Sequence, residues 1–298
     1  MNGSAGLKID VHVHVIATDR KAHGCFISKR SKYHPVFLLW KAINNYLGLS
    51  DGEFDRRYLE DLVKAIEECE GIDRAVVLGF DAVHDSRGEP DWNRTDEYTT
   101  NDYVLDIAGE FDCCLPGPSV HPARRDALDE LERCAELGAV LVKWVPNSQW
   151  IDPSDARYAG FYEKLADLNL PLLSHTGYEH TVRAPNQDYG DPERLERALD
   201  AGVTVIAAHS GASGIGHSVE YFPRYVKMLE KYPNLYGDLS AFTTPSRAVY
   251  LRRIANNPLL TGRSIQGSDY PVPPMPILFA RQLGPNNLIK LWREKNYF

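Results

Sequence analysis

A chain of 298 residues, 43% hydrophobic and 25% charged, is long enough to bury one large core and has the make-up of an ordinary globular protein. Its net charge of −8 argues against nucleic acid as the main partner, because that binding depends on clustered Lys and Arg. No apolar run reaches the roughly 20 residues needed to cross a bilayer, and the first residues hold no apolar signal segment.

Short apolar runs alternate with longer amphipathic stretches. In chain order the runs are Leu7–Val15, Arg74–Phe80, Cys113–Val120, Ala139–Val145, Leu170–Ser174, Val203–Ala208, Asn234–Leu239 and Ser264–Gly267. Most lack strict polar alternation, as strands buried on both faces do. Helices are expected between them at Tyr58–Glu70, Asp126–Leu137, Asp191–Ala201, Glu220–Tyr232 and Ser246–Asn256. Asp191-Pro192 supplies an N-cap and a first-turn proline, and Gly202 a stop. Strands alternating with helices imply parallel βαβ units. Eight of them favour a closed (β/α)8 TIM barrel, α/β in class, with residues 1–298 forming a single domain. One insertion follows the first strand, from about Ile16 to Phe54. The chain reaches Tyr297-Phe298 soon after the eighth strand, which leaves room for a short final helix or for further sequence. The five cysteines, Cys25, Cys69, Cys113, Cys114 and Cys134, form no C-x-x-C pair, which suits a reduced, cytoplasmic chain.

Catalytic residues of such barrels come from the C-terminal ends of strands. The first strand ends Ile9-Asp10-Val11-His12-Val13-His14. Strand residues two apart share a face, so Asp10, His12 and His14 are expected to point the same way. Two imidazoles on one face can grip one metal ion. Later runs end at Lys143, His175, His209 and Asp269, spaced by 32, 34 and 60 residues. A βαβ unit takes about 30 residues, so these groups recur at the same point of each unit. Singly, each has a plainer reading: a hydrogen-bonded core histidine, or a helix-capping Asp269. Lys143, inside Val140-Leu141-Val142-Lys143-Trp144-Val145, must bind an anion, pair with a carboxylate or be modified, because lysine is seldom buried alone.

With this ordered set of His-x-His, Lys, His, His and Asp, the chain resembles the amidohydrolase superfamily, and within it the amidohydrolase-2 group, over essentially its whole length. The resemblance implies a divalent metal, Zn²⁺ first among candidates, as one or two ions. His12, His14 and Asp269 would bind the more buried ion. His175 and His209 would bind a second, or in a one-metal site His175 would bind the first and His209 would contact substrate or water. Lys143 falls where two-metal relatives carry a carboxylated lysine that bridges the ions. The implied reaction is hydrolysis of an amide, cyclic amide, lactone or ester by an activated water, with Asp269 and His209 catalytic. The alternative is a one-metal decarboxylase or hydratase. Asp10 is either a partner orienting a ligand or a strand-end residue.

The insertion holds Arg20, Lys21, Lys29, Arg30, Lys32 and Lys41 and no acidic residue between Asp19 and Asp51. In an acidic protein it could draw in a small carboxylate-bearing substrate, or be a solvated loop. Its apolar stretch, Val36-Phe37-Leu38-Leu39-Trp40, is expected to pack on the barrel or on a second subunit of a homo-oligomer. Pocket-lining candidates are His121, Trp144, Tyr178, Glu179, Arg183, Ser240 and Tyr270. Gly211, Gly214 and Gly216 suggest a loop after the sixth strand rather than a dinucleotide fingerprint.

Overall fold

A computed structural model describes residues 6–214 and 219–294, with Asn296 and Phe298. Gly216 and Tyr297 lie outside the described residues, as does the side chain of Val36.

Eight parallel strands follow the order of the eight apolar runs: β1 (Ile9–His14), β2 (Arg74–Leu78), β3 (Cys114–Gly117), β4 (Val142–Trp144), β5 (Leu172–His175), β6 (Val205–Ala208), β7 (Leu235–Asp238) and β8 (Ser264–Ile265). Regular pairing joins β1 to β3 in one sheet and β4 to β8 in another. Backbone hydrogen bonds bridge both gaps. Val140 N donates to Pro116 O at 2.9 Å and Lys143 N to Pro118 O at 2.8 Å, joining β3 to β4. Val11 N donates to Gln266 O at 3.0 Å and His14 N to Tyr270 O at 2.8 Å, joining β8 to β1. The ring closes as a TIM barrel, which leaves no sheet edge unpaired.

Side-chain alternation then sorts the residues. Ile9, Val11, Val76, Leu78, Leu115, Leu141, Leu173, Ile206, Tyr236 and Ile265 belong to one apolar cluster fed by all eight strands, and only the barrel interior can receive all of them. A Cβ on Gly117 would come within 2.7 Å of Leu78 Cδ2 and 2.8 Å of Val76 Cγ1, so β3 passes close to this layer only as glycine. Val142, Trp144, Leu172, Val205, Ala207 and Leu235 face outward and pack in the outer cluster against the helices. Lys143, between Val142 and Trp144, is therefore turned inward.

The helix over Asp51–Glu67 begins earlier than the expected Tyr58, because Ser50 and Glu53 form a capping box, with Ser50 N donating to Glu53 Oε2 at 3.0 Å. Its buried stripe, Phe54, Tyr58, Leu62 and Ile66, repeats every four residues and covers β1 and β2. The insertion is also more structured than a loop, with a helix at Pro35–Ile43 and a strand at Phe26–Ile27 paired antiparallel with Glu97–Tyr98. Phe37 and Trp40 pack against the barrel's outer cluster. The final helix runs Ala280–Arg293, kinked at Gly284-Pro285, rather than being short. All five cysteines are free. No helix among the described residues is long and apolar enough to cross a membrane.

Candidate metal centre

The donors sit where the strands end. Strand β1 does not alternate simply: its register against β2 shifts between Asp10 and Val13. Such a bulge re-aims side chains. Val11 joins the interior layer and Val13 the outer one, and His12 and His14 converge with their Nε2 atoms 3.1 Å apart. Asp10 does not share their direction as expected. Its Oδ1 accepts from the backbone N–H groups of His12 at 2.9 Å and Ser268 at 3.1 Å, so it fixes the backbone at the β1–β8 seam. Burial pushes its pKa up to about 6.

Asp269 Oδ1 lies 3.2 Å from His12 Nε2 and 3.3 Å from His14 Nε2. Donors about 2.0–2.1 Å from a tetrahedral ion stand about 3.3 Å from one another, so these separations fit a metal. The three ligand atoms lie within 4.8 Å of one another, a group that could hold a metal ion. Asp269 adopts a left-handed backbone (φ 65°), rare outside glycine, held by its N–H on His12 O at 2.9 Å. Burial alone would raise the Asp269 carboxyl pKa, but His12, His209 and His14 around it hold it well below the usual carboxylate range.

Lys143 Nζ stands 2.9 Å from His12 Nε2. Burial lowers its pKa to about 8, against the pull of Asp269 and Asp238. His175 and His209 form the second pair, with His209 Nε2 3.2 Å from His175 Nδ1. Burial keeps His12, His175 and His209 below the ordinary imidazole pKa, so they present neutral rings to a cation. His175 Nδ1 is also 3.5 Å from Glu179 Oε2.

Asp238, at the end of β7, ties the halves together and was not among the expected site residues. Its Oδ2 meets His12 Nδ1 at 2.7 Å. Its Oδ1 accepts from His209 N at 2.7 Å, Ser240 N at 3.1 Å and the Ser240 hydroxyl. His209 Nδ1 in turn lies 3.1 Å from Ser240 O. A carbonyl only accepts, so the His209 proton is on Nδ1 and Nε2 is free to donate its lone pair. The 30-residue interval that picked out the other groups also falls on Asp238.

Two further groups were missed. Arg247, in the loop after β7, is buried, and its charge is felt at His175 and His209. Glu97, beside the mouth, is pushed up to about 7 by desolvation, with His14 opposing and Glu179 reinforcing the shift. Neither residue lies on a barrel strand, so strand spacing could not find them.

Three expected pocket residues are engaged elsewhere. Trp144 faces outward, stacks on Phe161 at 5.2 Å and donates Nε1–H to Val120 O at 2.7 Å. His121 uses both ring nitrogens locally, Nδ1 accepting from Ala123 N at 3.1 Å and Nε2 contacting Gln149 O at 3.0 Å. Tyr270 packs in the outer cluster and stacks on Phe298 at 5.1 Å. Tyr178 and Glu179 are half-buried on the segment after β5, Arg183 is exposed, and Ser240 is wholly buried beneath His209. The insertion's cations are partly engaged too. Lys32 pairs with Asp51, Lys41 lies 4.5 Å above the Phe54 ring and Arg20 lies 5.1 Å above Phe26.

The comparisons with known proteins agree with this fold. The amidohydrolase family model matches residues 9–290. The chain belongs to the amidohydrolase family. This amidohydrolase is similar in fold to an uncharacterised TIM-barrel protein of Bordetella bronchiseptica, at 17% identity, TM-score 0.63, covering 96% of this chain and 95% of that one. It is also similar to a probable 2-pyrone-4,6-dicarboxylic acid hydrolase of Acinetobacter baumannii with citric acid bound, at 16% identity, TM-score 0.55, covering 97% and 91%. A dihydroxybenzoic acid decarboxylase of a Polaromonas species, with bound manganese and 2-nitroresorcinol, matches at 18% identity, TM-score 0.53, covering 98% and 100%. No curated protein matches the chain.

Proposed function

We propose that this amidohydrolase is a metal-dependent hydrolase that cleaves a C–N or C–O bond of an amide, cyclic amide, lactone or ester in a small substrate. The observation that carries this reading is Lys143 Nζ, 2.9 Å from His12 Nε2 and inside the ring of histidines. An ammonium is a poor metal ligand, whereas a carbamate on the same nitrogen is an anionic oxygen donor suited to serving two ions. In this reading His12, His14 and Asp269 hold one ion, and His175 and His209, with a carboxylated Lys143, hold the other. Mixed imidazole and carboxylate donors suit Zn²⁺.

The cation supplies Lewis acidity, polarising a carbonyl and bringing the pKa of water to about 7. The chain's own residues do the rest. Asp238 and Ser240 hold the protons of His12 and His209 on Nδ1, so that both Nε2 atoms face the cluster. Asp269, with one oxygen against the two imidazoles, takes up the water's proton on the other and passes it to the leaving group. His209, with its proton held on Nδ1, gives its Nε2 lone pair to the second ion in this reading; in a one-ion site the same Nε2 would accept from water or substrate instead. Tyr178, Glu179 and Arg183, on the segment after β5, are the substrate-facing candidates.

One observation favours a one-metal decarboxylase or hydratase instead: among the described residues only His12, His14 and Asp269 gather closely enough to form a ligand group. The two readings separate in one experiment. The metal-loaded protein is assayed for hydrolysis of lactones, esters and amides and for CO2 release from aromatic carboxylates, with metal equivalents and the mass of the Lys143 peptide measured alongside. Hydrolysis with two equivalents and a carboxylated Lys143 supports the proposal. CO2 release with one equivalent and an unmodified Lys143 overturns it in favour of the lyase.

A further inference from the structure

Strand β6 ends in a turn that L-residues rarely make. His209, Ser210 and Gly211 have φ angles of 60°, 50° and 68°, three left-handed residues in a row. Glycine adopts this conformation freely; His209 and Ser210 keep it only because their surroundings over-determine it. All three residues are buried. Asp238 holds the turn from β7, with His209 N donating to its Oδ1 at 2.7 Å and Ser210 Oγ to its backbone O at 2.8 Å. The helix over Phe222–Lys231 covers the turn so closely that a Cβ on Gly211 would stand 2.7 Å from Tyr225 Cβ.

The turn is also held from β5, by the buried side chain of Thr176. Its Oγ1 donates to Ala208 O at 2.5 Å and accepts from Gly211 N at 2.9 Å. One hydroxyl, acting as donor and acceptor at once, thus ties the residue before His209 to the last residue of the turn. The neighbouring Gly177 lies against the chain just beyond, where a Cβ would come within 2.5 Å of Ala212 O.

Thr176 follows His175 directly, so the same hydroxyl joins the two residues of a pair that come from different strands. His209 Nε2 lies 3.2 Å from His175 Nδ1. The ladder between β5 and β6 ends at His175 and Ala208. Past that point the bonds of Thr176 Oγ1 carry the connection from β5 into the turn.

We propose that Thr176 is the positioning residue for the His175–His209 pair, its hydroxyl locking the left-handed turn so that the two rings face one another at a fixed separation. This deepens the functional reading above and rests on it for what the pair binds, not for how the pair is held.

The test uses full-length wild type, Thr176→Val and Thr176→Ser. Valine keeps the shape and removes both hydrogen bonds; serine keeps the hydroxyl. Circular dichroism and thermal melting establish that each is folded, and Thr176→Ala takes the place of Thr176→Val if valine prevents folding. Metal-free samples labelled with ¹⁵N-histidine give the ring tautomers, with His209 assigned by its loss in His209→Gln. The same samples are titrated with Co²⁺, whose visible absorption reports the ligands around it. In the wild type and Thr176→Ser, His209 is expected to keep its proton on Nδ1, against Ser240 O, and the Co²⁺ spectra to coincide. In Thr176→Val the turn loosens, His209 populates both tautomers, the Co²⁺ spectrum changes and affinity for at least one ion falls about tenfold or more. The inference is overturned if folded Thr176→Val keeps the single His209 tautomer with wild-type Co²⁺ affinity and spectrum. It is also overturned if Thr176→Ser fails as Thr176→Val does, which would make the methyl group rather than the hydroxyl the part that matters. A wild type that takes up no Co²⁺ contradicts the metal-site reading alone, and the histidine spectra then decide the inference.

Discussion

His12 Nδ1 and Asp238 Oδ2 meet at 2.7 Å with both side chains fully buried. This contact keeps the His12 proton on Nδ1 and aims the Nε2 lone pair at Asp269, His14 and Lys143. Asp238 stays anionic because His12, Ser240 and the His209 N–H outweigh the cost of burying its charge.

An Asp238→Asn substitution keeps the shape but places an amide that can donate to His12 Nδ1. The ring proton then moves to Nε2 and points into the cluster. Zn²⁺ affinity is expected to fall by about 10–100-fold, the usual effect of removing such a partner. Competition with a chromophoric chelator measures it, and wild-type affinity would mean that the contact does not set the tautomer.

Much of this site was legible because a barrel repeats. His175, His209 and Asp269 recur at strand ends, and inward-facing strand residues must either fill the interior or do chemistry. The same logic, applied one residue further, would have excluded Trp144, which neighbours an inward residue on the same strand and must face outward. The bulge in β1 was not legible, because Asp10-Val11-His12 shows no break in its alternating pattern. Asp238 carries a readable signal, its place midway between His209 and Asp269 in the 30-residue series. Arg247 carried none, since a loop residue has no period and its importance comes from burial among residues distant in sequence.

Asp10 should leave a signature in the pH dependence of stability. Its folded pKa is raised from 3.8 to about 6, so the stability due to its protonated form is complete below the unfolded value and is lost as pH rises through the folded one. Asp10→Asn stays neutral throughout. The metal-free variant should therefore gain on the wild type by up to about 3 kcal/mol between about pH 4 and pH 8. Denaturant melts across that range test this; a gap that is flat or closes with rising pH contradicts it.

Trp144→Phe should behave as a structural change. Phenylalanine keeps most of the packing on Phe161 and Tyr162 but leaves Val120 O without its donor. The expected loss is about 1–3 kcal/mol in unfolding free energy, with Zn²⁺ equivalents unchanged. Unchanged stability with altered metal or probe binding would return Trp144 to the pocket.

The central claim is that His12, His14 and Asp269 hold the metal. It is tested most directly by the metal content of purified wild-type protein and of the His12→Ala, His14→Ala double variant, with circular dichroism to establish that both are folded. The account predicts one or two equivalents in the wild type and loss of at least the ion at this triad in the folded variant. A folded double variant that retains the full complement would contradict it.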